Sequence, residues 1–170
     1  MNQDSIKLTR TIQKLVKDTN INEKTLLATD YLNHFNEVIM LLELVPDMPE
    51  CLDDVREWQP KSYGEHFADS TFSDKELAVL AYENAPSAYR IPFDETTDAI
   101  NGKVKSSIVD IEAVQQNGNA DELRETVRNL TRDIQLLMDR SSAIINGDFD
   151  KEEAQAAITL DQEDIDALFD

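Results

Sequence analysis

Cysteine is nearly absent from this 170-residue chain, where Cys51 stands alone. One thiol cannot close an internal disulfide and gives zinc no cluster of ligands, so a disulfide scaffold and a zinc ribbon are both excluded. Glycine and proline are scarce as well, with 4 Gly and 5 Pro. That is too few for the frequent tight turns of a β-sandwich, and no Gly-rich phosphate loop exists. No apolar run reaches the roughly 18 residues of a membrane span. The polar start Met1-Asn2-Gln3-Asp4 does not read as a signal peptide. Positive charge is also short: 16 Lys and Arg against 35 Asp and Glu give a formal charge of −19. Such a field repels phosphate backbones and anionic lipid, so the expected partners include neither nucleic acid nor membrane, and the expected location is cytoplasmic. No cofactor motif is found, and none is expected to be needed.

What is present is helical spacing of apolar residues along nearly the whole chain. It predicts an all-α fold: a helical bundle with a long antiparallel helical hairpin and a mobile acidic C-terminal tail. Asp4 or Ser5 opens a first segment with Ile6, Ile12, Leu15 and Val16 on one side and a basic stripe of Lys7, Arg10, Lys14 and Lys17 on the other. Asn22 reads as the cap of a second helix, with Ile21 and Leu26 as its hydrophobic staple. The face Tyr31, Phe35, Val38, Leu42 and Val45 then runs on to Pro46. Residues 46–72 read as an irregular aromatic cap containing one short helix begun by Asp47 and Pro49.

Ser73 and Glu76 form a capping box for a helix that stops before Pro86, and residues 85–93, with Pro86 and Pro92, are expected to be extended. Asp94 then caps a long helix carrying Ile100, Val104, Ser107, Ile111 and Val114. Asn117-Gly118-Asn119 breaks it. Asp121 caps its partner, in which Leu123, Val127, Leu130, Ile134, Leu137, Ser141 and Ile144 alternate by four and three up to Gly147. The chain thus divides into a helical body over 1–93, a protruding hairpin over 94–146 and a tail over 147–170. If the hairpin's apolar rows exceed what the rest can cover, they form a homodimer through 94–146.

Within the body, Asp30, His34 and Glu37 share the spacing of carboxylate-bridged metal sites. His34, however, falls inside the apolar stripe, which makes it a hydrogen-bonded core histidine, and no Glu-x-x-His pair is present. Glu50, Asp53 and Asp54 surround Cys51 with negative charge, which raises a thiol pKa and favours a buried, inert residue. Trp58, Phe67 and Phe72 read as anchors of the cap to the core. Arg124, Arg128 and Arg132 make a second basic stripe, expected to pair with Asp121, Glu125 and Asp133.

The tail from 148 to 170 gathers nine acidic residues against Lys151. Its end, over 160–169, has the makings of an amphipathic docking helix: Asp161 and Asp164 stand at capping-box spacing, and Ile165, Leu168 and Phe169 occupy i, i+3 and i+4. Burying these side chains and Leu160 yields roughly 6 to 12 kcal/mol gross, and ordering and association costs leave a contact of about micromolar strength or weaker. Either basic stripe could clamp this tail.

On Leu160, Gln162, Ile165, Asp166, Ala167 and Leu168, set among further acids such as Asp164, the segment resembles the peptide with which flagellar motor switch proteins and the chemotaxis receiver phosphatase capture the phosphorylated chemotaxis response regulator. The likeness implies a bacterial signalling or adaptor protein whose partner is a receiver domain. It places the partner-binding contacts on Leu160, Gln162, Asp164, Ile165, Asp166, Ala167, Leu168 and Phe169. The phosphatase family is also similar in placing a helical hairpin before an acidic linker and a docking helix. That family uses an Asp followed four residues later by Gln. This chain offers the reverse order, Gln135 and Asp139, and the variant Glu112 and Gln116, as candidates for an aspartyl-phosphate phosphatase.

Overall fold

The rows spaced by four and three in the last two long segments meet along one seam. The computed structural model describes residues 3–148, with side chains described from Ile6 onward. The expected docking helix over 160–169 lies outside the described residues. In chain order the elements are α1 Gln3–Leu15, a 3-10 turn Thr29–Leu32, α2 Asn33–Leu44, α3 Cys51–Glu57, α4 Tyr63–Asp69, α5 Lys75–Glu83, α6 Ser87–Asn117 and α7 Ala120–Asn146. The only extended pairing among the described residues is an isolated bridge between Ile21 and Ala28. The fold is all-α, with α6 and α7 as its longest elements.

The seam buries Ile100, Val104, Ser107 and Ile111 from α6 against Leu123, Val127, Leu130, Ile134, Ser141 and Ile144 from α7, with Leu137 and Val114 partly buried at its margin. The hairpin does not protrude. The 3-10 turn and α2 lie against α7, and α3 lies against α6. The face Phe35, Val38, Ile39 and Leu42 of α2 thereby closes the core over the seam.

Three of the expected helix caps differ in the structure. Asn22 caps a tight turn and not a helix: its Oδ1 accepts from the N–H groups of Lys24 and Thr25 at 2.8 and 3.0 Å. Leu26 follows at φ 62°, and helical structure begins only at Thr29. Left-handed backbone at a leucine costs about 1 to 2 kcal/mol, a cost offset by full burial of Leu26 and Leu27. The Ser73–Glu76 box does not form, because Asp74 occupies the N-cap of α5 without a side-chain bond. Asn119, and not Asp121, caps α7, its Oδ1 accepting from Glu122 N–H at 2.8 Å.

The largest difference is at 85–93, expected to be extended and in fact the first turns of α6, with Pro92 inside the helix. Proline there removes one backbone bond and crowds the preceding turn. The conformation is held by the next residue, Phe93, which is buried against Tyr31 and Tyr63 with ring centroids 5.8 Å from each. The cap over 46–72 is likewise more regular than expected, since it contains α3 and α4. Phe67 is fully buried, and Trp58 and Phe72 pack on the core, as their anchoring reading requires.

Candidate functional site

Of the three body residues at metal-site spacing, Asp30 and His34 both lie near His66, whereas Glu37 faces solvent. Asp30 faces His66, 3.3 Å from its Nε2, and Glu37 is exposed on α2. His34 is 9% exposed, its Nε2 accepts the Lys61 N–H at 2.9 Å, and its ring stacks on Trp58 at 4.7 Å. An accepting Nε2 requires the neutral ring with its proton on Nδ1. Burial, helped by the nearby charges of His66 and Lys61, lowers its pKa to about 4. Among the described residues no group of three His, Cys, Asp or Glu is arranged to hold a metal ion.

Gln135 and Asp139 lie on the exposed side of α7, where the Gln135 amide donates to Asp139 Oδ1 at 3.2 Å. Glu112 is taken by Arg56, whose Nη2 lies 2.6 Å from its Oε1, and Gln116 is exposed near the hairpin turn. Cys51 is buried, and burial with Asp54 and Glu50 beside it pushes its thiol pKa up. Arg124 pairs with Asp47 at 2.8 Å, across to the loop before α3, and not with its helix neighbours. Arg132 lies 3.6 Å from Asp133.

Between α6 and the segment before α4 lies a cleft of about 270 Å³, walled by Tyr31, Tyr63, Tyr82 and Phe93 and edged by Asp94, Asp98 and Asn101. The tyrosines act as struts. Tyr31 donates to Lys61 O at 2.7 Å, Tyr63 Oη accepts from Ala28 N–H at 2.9 Å, and Tyr82 donates to Asp94 Oδ1 at 2.8 Å. Burial pushes all three hydroxyls up, that of Tyr82 to about 12, so they stay protonated near neutral pH. Burial also raises the Asp94 carboxyl, against the pull of its Tyr82 bond. Sequence periodicity did not reveal this cluster, because its rings come from four separate elements.

A second arrangement lies at the end of α7. Gly147, at φ 70°, closes a Schellman turn in which Gly147 N–H donates to Ile144 O at 3.0 Å and Asp148 N–H to Ala143 O at 2.9 Å. The Asn22 turn docks there: Thr25 Oγ1 donates to Ile145 O at 2.5 Å, and Lys24 Nζ to Gly147 O at 3.4 Å. The chain therefore leaves α7 beside Lys24. The same lysine lines a groove of about 490 Å³ with Arg10, Gln13, Lys14, Lys17 and Glu23. This is the basic stripe expected on the first helix, and none of its cations enters an ion pair among the described residues. The sequence signal for the missed Thr25 contact was Asn22-Glu23-Lys24-Thr25, an Asx-turn pattern that also resembles a helix start.

No protein-family model, curated protein or solved structure matches this chain. Among the described residues, no helix is long and apolar enough to cross a membrane.

Proposed function

We propose that this is a binding protein that engages a phosphorylated receiver domain through residues 160–169, in signalling of the chemotaxis or two-component kind. The observation that carries the reading is the amphipathic pattern of that segment: Ile165, Leu168 and Phe169 at i, i+3 and i+4 among Asp161, Glu163, Asp164 and Asp166. The structure is compatible with presentation of such a segment, because α7 ends at the surface in a Schellman turn. Binding without catalysis is proposed because Gln135 is engaged by Asp139 and Glu112 by Arg56.

Calorimetric titration of the full chain, and of a chain ending at Thr159, into receiver domains with and without a beryllofluoride phosphoryl mimic tests it. The full chain is expected to bind the mimic-loaded form at about micromolar strength, and the shortened chain not at all. Equal binding by both chains would refute the assignment to 160–169. Faster decay of receiver phosphate with the full chain, abolished in Gln135→Ala, would assign the phosphatase reading instead.

A further inference from the structure

We infer that the groove along α1 is the docking site of this chain's own C-terminal segment, residues 149–170, and that the partner must compete for that segment. The chain leaves α7 at the mouth of this groove. Asp148 follows the Gly147 carbonyl held by Lys24, and Lys24 is itself a wall of the groove formed with Arg10, Lys14 and Lys17. The charges of groove and segment are complementary. Four cations face one acid, Glu23, in that groove, while residues 149–170 carry eight carboxylates against Lys151. Cations of one sign this close together repel each other, and an acidic chain relieves the repulsion.

The apolar anchors of the segment also have a counterpart beside α1. Farther along α1 the basic groove passes into a second, of about 470 Å³, whose lining includes Ile6, Leu8, Ala85, Pro86 and Arg90, with Arg10 shared between the two. Ile6 and Leu8 are exposed at 39% and 47%. Counting from the exit, Asp150, Glu152 and Glu153 come first, and the other five carboxylates stand over 161–170 with the apolar anchors Ile165, Leu168 and Phe169. On the surface the four cations of the first groove come nearest the exit, and the second groove adds apolar side chains among polar ones that include Arg90 and Glu83. Reach is ample: the 16 residues over 149–164 extend to about 50 Å, whereas Leu15 to Ile6 along α1 is about 14 Å. The other basic stripe is farther off, with Arg132 about 22 Å and Arg124 about 35 Å back along α7 from Gly147, and two of its cations already have partners, Arg124 in Asp47 and Arg132 in Asp133.

The test uses the full chain with Asp170→Cys carrying a fluorophore, Cys51 being buried. Anisotropy at 20 mM NaCl is expected to be high and to fall at 500 mM toward the value of a labelled peptide spanning 158–170. Lys14→Glu with Lys17→Glu, both at exposed positions, is expected to give the low value already at 20 mM. Arg128→Glu with Arg132→Glu is expected to keep the high one. Helix content by circular dichroism separates loss of docking from loss of fold. Anisotropy indifferent to salt and to the α1 reversals, sensitivity to the α7 reversals alone, or a signal that rises with protein concentration would overturn the proposal. No receiver enters this measurement, so its failure and that of the receiver reading are separate. Where both hold, the α1 reversals tighten receiver binding several-fold.

Discussion

Acid should weaken this fold through one side chain. His34 is neutral in the core, with Nε2 accepting the Lys61 N–H at 2.9 Å and Trp58 stacked at 4.7 Å. Protonation would turn an acceptor against a donor in a buried site. The folded pKa is about 4 against an ordinary 6.5, so the unfolded chain binds the extra proton first. The contribution is therefore complete above pH 6.5 and declines as pH falls to about 4. Its full size is at most about 3 kcal/mol, a large part of the roughly 5 to 15 kcal/mol that holds such a domain together. Asp94, whose carboxyl is raised, acts in the opposite sense as acid is added, so the comparison must be with a variant. Urea unfolding followed by Trp58 fluorescence at pH 7, 6, 5 and 4.5 would show wild type losing most of this increment. His34→Gln keeps an acceptor that does not titrate and should lose about 2 kcal/mol less across the same range. Parallel pH profiles for the two proteins would refute the reasoning.

Three further outcomes are expected. Thr25→Val keeps the shape but removes the buried donor to Ile145 O, and should cost about 1 to 3 kcal/mol in urea unfolding at pH 7. Gly147→Ala places a Cβ in left-handed backbone 3.1 Å from Lys24 Cδ, which should cost about 1 to 2 kcal/mol by the same assay. Because the rows of α6 and α7 are covered by each other and by α2, light scattering at tens of micromolar should give the monomer mass of 19.3 kDa. A doubled mass would point to the exposed Val109 and Leu136 as an interface.

The hairpin was legible because its signal is periodic and long: Leu123 to Ile144 repeats by four and three, and its break at Asn117-Gly118-Asn119 and stop at Gly147 both stand in the structure. Errors arose where a local rule competes with packing. Pro92 argues for extended chain, yet Phe93 is buried in the aromatic core, and that core is assembled from residues distant in sequence. Asn22 supplies the same side-chain acceptor to a tight turn as to a helix start, so the cap was legible and the element was not. His34 was legible as a core histidine from its place in the apolar stripe, but its partner was not, since the Lys61 N–H lies 27 residues away. Arg124 shows the same limit. Its helix neighbours were visible in sequence, whereas Asp47 comes within reach only once α7 lies beside the loop before α3.

What residues 160–169 bind decides the proposed function. Fluorescence anisotropy of a labelled peptide spanning 158–170, titrated with receiver domains with and without beryllofluoride, tests that most directly. Saturable binding at about micromolar strength is expected to a mimic-loaded receiver, at least several-fold weaker without the mimic, and lost in a peptide with Ile165→Ala and Leu168→Ala. Undetectable binding to every receiver, or equal binding with and without the mimic, would contradict it.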